Sequence, residues 1–295
     1  MALLGGLLDP ATFIIQTMNG IQAGMVLFLI ASGLTVILGI LDILNLAHGS
    51  LYALGAYFGA SVMGFVVGNV MSGPLELQIP GTLFFLGLIL LSAVVAAIIM
   101  FPIGAIIEAV FIRPIYERAQ VYQLVLTFAL LLIIDDMLLF FWGNDTWRLE
   151  FTQRTAIDQL PSFDILADIT GMDRLTEIPT RVLIIIVVAA IVGGLLFWFF
   201  SKTKTGRIIR ATAIDREMAQ AIGVSPDRTF TLVFAFGAFL AGFAGGIQLL
   251  TGPARVSMGA NALVLSFVII VVGGLGSLRG AFFGALVVGI LQNWM

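Results

Sequence analysis

Eight stretches of this chain are candidates to cross a hydrocarbon layer, the last two of them short, and no motif limits the fold as strongly. A bilayer core about 30 Å thick takes about 20 apolar residues in helix. The stretches are Ala11–Ile40, Asn45–Val67, Thr82–Ala109, Val121–Trp142, Val182–Phe200, Phe230–Leu250, Ala262–Leu275 and Gly280–Trp294. Lipid offers backbone amides no partner, so each stretch must satisfy its own N–H and C=O groups as helix. The expected fold is all-α: a polytopic transmembrane bundle of about eight spans, forming one domain over residues 1–295. The run from Ala11 is too long for the apolar core of a cleavable signal, and Met1 to Pro10 has no basic residue, so the first helix is expected to stay.

Charge gives the bundle a direction. Lys202, Lys204, Arg207, Arg210, Arg216 and Arg228 crowd the segment 201–228, which the positive-inside rule places in the cytoplasm. Counting back, Arg113 and Arg118 are also inside, and the loop 143–180 is extracytoplasmic. That loop is acidic (Asp145, Glu150, Asp158, Asp164, Asp168, Asp173, Glu177) and reads either as a solvated loop or as short helices that receive an outside partner. Both termini are expected outside.

The first two stretches are longer than two crossings need, and the polar string Asp42, Asn45, His48, Gly49, Ser50 falls at their junction. Buried polar groups in lipid are costly unless they serve a path or a break. One reading is a broken helix whose N-terminus offers its dipole to an anionic ligand group. The other is a tight inner turn capped by Asn45 and His48. Asn19 and Gln22, three residues apart, share one helix face and are candidates for the same path. Asp135 and Asp136 are neighbours about 100° apart on their helix, so both cannot face one pocket. Glu108 lies close enough to Arg113 for a structural ion pair.

Within the basic loop, Thr212-Ala213-Ile214-Asp215 has capping-box spacing, Gly223 and Pro226 supply a stop, and Ile214, Met218 and Ile222 recur every four residues. A short amphipathic helix over Thr212–Gly223, including Ala221, is expected to lie on lipid or to dock in the groove of a soluble partner. Its apolar strip is small for membrane binding, which favours docking.

Several functions are excluded. The chain has no cysteine and one histidine, so thiolate metal sites, a cysteine nucleophile and a His-Glu-x-x-His protease are ruled out; no catalytic or metal-binding residue is assigned. No Gly-x-x-x-x-Gly-Lys-Ser/Thr loop is present, so ATP hydrolysis is not expected of this chain and no cofactor is assigned to it. A net charge of −3 with scattered basic residues argues for membrane lipid and against nucleic acid as a partner.

The run from Gly33 through Asp42, Asn45-Leu-Ala-His-Gly-Ser50 and Leu54-Gly-Ala-Tyr57 resembles the opening of the branched-chain amino acid ABC importer permeases. The resemblance continues at Glu108, Arg113-Pro114, Thr203-Lys-Thr-Gly-Arg207, Ala219-Gln-Ala-Ile-Gly223 and Val272-Gly-Gly-Leu-Gly-Ser-Leu-Arg-Gly280, and it is closest to the compact member of the two paired permeases. It implies an inner-membrane permease working with a second permease subunit, two cytoplasmic ATPases that use ATP, and a periplasmic substrate-binding protein. It also implies that Thr212–Gly223 couples the permease to an ATPase. Related importers carry urea, short amides or sugars, but sugar permeases have an Asp-Leu-Ser type string where this chain has Asn45-Leu-Ala-His-Gly49. Two departures stand out: Ser257-Met258-Gly259 replaces a Pro-Gly after Leu250, and the sequence stops at Met295 where relatives continue into another hydrophobic segment.

Overall fold

The computed structural model describes residues 10–70, 81–143, 162–164 and 177–295. Helix α1 is Pro10–Leu41, α2 His48–Val70 and α3 Gly81–Ile107; α3 runs on through a π-helical turn, Glu108–Ile112, and a 3₁₀ turn, Arg113–Ile115. Helix α4 is Gln120–Trp142, and the strands β1, Ser162–Asp164, and β2, Glu177–Pro179, pair antiparallel before α5, Thr180–Lys202. Then follow α6 Lys204–Ile214, α7 Arg216–Ala221, α8 Pro226–Gln248, α9 Met258–Gly273 and α10 Leu278–Trp294. Most of the expected outer loop, with Asp145, Glu150, Asp158, Asp168 and Asp173, lies outside the described residues.

Among the described residues, six helices are long and apolar enough to cross a membrane, or seven crossings if the pair α9–α10 counts as one. The last two apolar stretches are therefore not two independent spans. They bend by 119° at Gly274–Ser277, where Gly274 and Gly276 adopt positive φ angles of 92° and 75° that side chains with a Cβ resist.

Glycine contacts fix how the helices run. A Cβ on Gly55 would overlap Gly242, and one on Gly59 would press on Gly246, so α2 and α8 are parallel. Gly104 meets Ala235 and Ala238 while Ala93 meets Gly246, so α3 runs antiparallel to α8. Gly20 meets Ile290 and Gly39 meets Gly276, which sets α10 antiparallel to α1. Such small-residue contacts are the usual means by which helices associate where lipid supplies no hydrophobic drive. The centre is α1 and α8, with 89% and 78% of their apolar windows buried, whereas α4 and α5 are peripheral at 22% and 28%.

The expected break before His48 is present. Helix α1 stops at Leu41, Asp42 takes a positive φ of 57°, and the chain doubles back without helical structure until α2 begins. His48 meets the carbonyl of Ile30, which lies about 16 Å back along α1 at 1.5 Å per residue, so α2 starts deep inside the bundle. A second break, not expected from sequence, occupies residues 249–257. Helix α9 starts at Met258, and Gly259 in its first turn lies against Gly49 in the first turn of α2. From that shared crossing α2 runs to one end of the bundle and α9 to the other, giving α1–break–α2 and α8–break–α9 the same design in opposite directions.

The end of the bundle that holds Arg113, Arg118, Lys202, Lys204, Arg207, Arg210, Arg216, Arg228 and Arg279 is the basic end; Arg181 and Arg255 belong to the opposite half. Because the chain lacks cysteine, a single Lys204→Cys substitution reports which side this end faces. It should resist an impermeant thiol reagent in intact cells and react after permeabilisation, as the positive-inside rule requires. Labelling from outside would invert the topology.

Candidate functional site

Opposite the basic end, a cavity of about 440 Å³ opens between the outer halves of α1, α5, α9 and α10 and the end of α8. That volume lies in the ~300–1,000 Å³ range of small-ligand sites. Asn19 and Gln22, two of the candidates from sequence, line it. Gln248, Asn261, Gln292 and Asn293 add carboxamides from three other helices, while Val26, Leu27, Ile30 and Leu265 supply an apolar wall. Carboxamides carry donors and acceptors together, so these side chains can hydrogen-bond both ends of a zwitterion. Arg181 stands at its rim, and the lining includes no carboxylate. Sequence reasoning missed Gln248, Asn261, Gln292 and Asn293. Gln248 and Asn261 are single amides and Gln292-Asn293 an adjacent pair, each beside an apolar run, and only the fold brings the three helices together.

The remaining path candidates do not line the cavity. Asn45, His48, Gly49 and Ser50 are all buried at the crossing of the two helix breaks. Asn45 folds back to accept from the Ala47 N–H at 3.1 Å, and the Leu44 carbonyl accepts from Thr127 Oγ1 at 3.2 Å. Since a carbonyl can only accept, His48 must carry its proton on Nε2, which donates to Ile30 at 3.0 Å. Ser50 Oγ donates to Asp135 at 2.7 Å, tying α2 to α4, while Asp136 points outward from α4. The two aspartates thus diverge as their helical spacing demands. The Asn45 Nδ2 and His48 Nδ1 atoms have no partner among the described residues.

At the basic end the ion pair foreseen between Glu108 and Arg113 is present, with Nη2 to Oε2 at 3.0 Å and Nε to Oε1 at 3.3 Å. Glu108 is fully buried and also accepts from Tyr116 at 2.6 Å, and Arg113 reaches Thr231 on α8. Burial, then the bond to Glu108, holds the Tyr116 hydroxyl far above its usual pKa and hence protonated. Glu108 is buried while Arg113 is part-exposed, so removing the arginine leaves a buried carboxylate short of its partner, a loss at or below the ~3–5 kcal/mol of a fully buried pair. An Arg113→Met variant should lower the thermal midpoint of the purified protein far more than Arg113→Lys; equal loss in both would deny the pair its structural role.

The basic loop corrects the sequence reading. Thr212–Gly223 is not one helix: α6 ends at Ile214 and α7 spans only Arg216–Ala221. Thr212 lies inside α6, buried, and its hydroxyl returns to the Ile208 carbonyl at 3.0 Å instead of capping. Asp215 is the cap, accepting from Met218 N–H at 2.9 Å. Gly223, with φ 88°, closes α7, and Val224 N–H reaches back to the Ala219 carbonyl at 2.9 Å. Ala219 is buried and the Arg216 guanidinium sits 4.4 Å over the Phe230 ring, so one side of α7 is anchored to α8. Ile214, Met218 and Ile222 point the other way, 87%, 60% and 70% exposed. Ala221 is exposed beside them.

Comparison with known proteins places these features. Residues 16–295 match the family described as branched-chain amino acid transport system / permease component. The high-affinity branched-chain amino acid transport system permease protein LivH of Escherichia coli K12 is 28% identical over 95% of this chain and 85% of its own length. LivH of Salmonella typhimurium is 27% identical with the same coverage, and BraD of Pseudomonas aeruginosa is 27% identical over 94% of this chain and 84% of its own. One solved structure, PsaBC from Streptococcus pneumoniae in complex with Fab, aligns over 100% of this chain and 95% of its own at 12% identity and a TM-score of 0.33, too loosely to bear on the fold. The conspicuous motifs sit where the backbone is most constrained: the break before His48, the start of α6 and the α9–α10 bend. With a multi-pass helical bundle and a match over nearly its whole length, the chain belongs to the branched-chain amino acid transport permease family.

Proposed function

We propose that this protein is a permease subunit of an ATP-binding-cassette importer in the plasma (inner) membrane, translocating amino acids of the branched-chain type. A periplasmic binding protein delivers the substrate at the cavity end, a second permease subunit completes the path, and two cytoplasmic ATPases docked at the basic end consume the ATP. The observation that carries this reading is the exposure of Ile214 at the end of α6, Met218 on α7 and Ile222 just after it, on a segment anchored to α8 at the side the basic residues assign to the cytoplasm. Three apolar side chains held in water at the end of a membrane bundle fit a docking site better than a free surface.

Two further features support the reading. The carboxamide cavity suits an amino acid: polar at one pole, with an apolar wall for an aliphatic side chain. Asp136 is exposed on α4 among Leu132, Ile133, Met137 and Phe140, a face that would bury a carboxylate in hydrocarbon if lipid covered it. A second permease over α4 removes that cost.

Proteoliposomes containing the chain, its second permease and both ATPases should accumulate leucine, isoleucine or valine only when binding protein and ATP are supplied together. Uptake that follows an ion gradient without ATP would make the protein a secondary transporter or channel instead. A Gln22→Leu/Asn261→Leu double variant, which strips two carboxamides from the cavity, should cut uptake about tenfold, equivalent to roughly 1.4 kcal/mol. The ATPases should stay bound. Unchanged uptake would move the substrate path away from this cavity.

A further inference from the structure

A second cavity, of about 410 Å³, lies at the basic end between the inner ends of α1 and α5, the end of α6 and the α9–α10 bend. Arg210 of α6 and Arg279 of α10 both line it, and neither is ion-paired among the described residues. The first turn of α10 opens onto it as well, through Ser277, Leu278 and Arg279. A 17-residue helix places the positive end of its dipole there, so three sources of positive potential meet in one recess.

Thr35 supplies an independent sign of a ligand. Threonine and serine inside a helix usually return their hydroxyl to a carbonyl one turn back, as Thr17 does to Phe13 at 2.7 Å and Ser32 to Leu29 at 2.8 Å. Thr35 also lies inside α1, is 1% exposed and lines this cavity, yet its Oγ1 has no hydrogen-bond partner. A buried hydroxyl left unpaired is unfavourable, and an oxygen-rich ligand in the recess would give it a partner.

We infer that this cavity binds the phosphate of an anionic phospholipid between Arg210 and Arg279. A phosphate oxygen suits the paired guanidiniums, the start of α10 and the Thr35 hydroxyl. The lipid is the source because most of the remaining lining, Ser201 apart, is apolar: Val36, Ile40, Phe197 and Phe200 give the glycerol and upper acyl segments a wall that a soluble anion would not use. The recess also lies at the inner ends of α1 and α5, the kind of place where basic pockets between membrane helices collect anionic lipid. Ile214, the first residue of the exposed docking strip, shares the cavity, so the bound lipid would brace α6 and the docking segment against the α9–α10 bend. The inference does not depend on which solute is transported.

The full chain in nanodiscs tests it, by native mass spectrometry and by thermal midpoint in phosphatidylglycerol and in phosphatidylcholine. The wild-type protein should retain phosphatidylglycerol through delipidation and melt higher in phosphatidylglycerol discs. An Arg210→Gln/Arg279→Gln variant should lose at least tenfold of the retained lipid and all of that extra stability, with its midpoint in phosphatidylcholine unchanged. A Lys204→Gln/Arg207→Gln variant removes equal charge outside the cavity and should behave as wild type. If the arginine variant fails to fold, Thr35→Val, which keeps the shape and deletes the hydroxyl, should still weaken retention several-fold. Equal retention by the arginine or threonine variants and wild type overturns the site. Equal loss in the Lys204/Arg207 control reduces it to diffuse charge. Full protection by inorganic phosphate in phosphatidylcholine discs overturns the lipid assignment in favour of a soluble anion.

Discussion

A Met218→Glu variant is expected to lose its ATPase subunits on purification and all ATP-driven uptake, while the permease itself still inserts and folds. Met218 lies 60% exposed on α7, between the more exposed Ile214 and Ile222, so glutamate there disturbs nothing inside the chain. In a docked complex the same position is desolvated, and an unpaired carboxylate in such a contact costs several kcal/mol. At tenfold per ~1.4 kcal/mol, a nanomolar association becomes micromolar or weaker and does not survive dilution. Co-purification and uptake measured on the same membranes decide it, with Met218→Leu as the variant that should retain both. Full retention by Met218→Glu would count decisively against docking through this face.

A large stability effect is expected at Gly49. A Cβ there would overlap the carbonyl of Gly259, backbone against backbone, where no rotamer change relieves the clash. Overpacking commonly costs about 1–3 kcal/mol, and the upper part of that range or beyond applies when two helix starts must separate. Gly49→Ala should sharply lower the folded yield and the thermal midpoint in detergent. Gly194→Ala on peripheral α5, where an added Cβ meets nothing within 4 Å, should be neutral or slightly stabilising. Comparable loss in both variants would mean that the crossing does not set the sensitivity.

These effects sort what the sequence makes legible from what it does not. Hydrophobic length reveals the long spans, and surplus length beside Asn45 and His48 reveals the first break, because a polar string in an apolar run has few places to go. The second break is hidden. The α9 sequence is as apolar as a complete span, and hydropathy cannot tell that it begins mid-bundle. Glu108 and Arg113 are legible because only five positions separate them in sequence. The carboxamide cavity is not, because its amides come from α1, α8, α9 and α10 and mean nothing separately. Thr212 shows how a spacing rule fails: its neighbourhood fits a capping box, but the chain upstream is already helical, so the hydroxyl bonds backward and Asp215 takes the cap.

The crossing of α2 and α9 also bears on how the chain is made. Helix α2 starts deep in the bundle, and its first turns rest on Gly242, Gly245 and Gly259, which are synthesised far later. At about 5–20 residues per second, the roughly 210 residues between Gly49 and Gly259 take about 10–40 s to emerge. Throughout that interval α1 and α2 occupy the bilayer as a hairpin without its supports, its Asn45 and His48 amid lipid or insertion machinery. Insertion of this permease therefore cannot finish span by span: the α1–α2 hairpin must be held open until α8 and α9 have been translated.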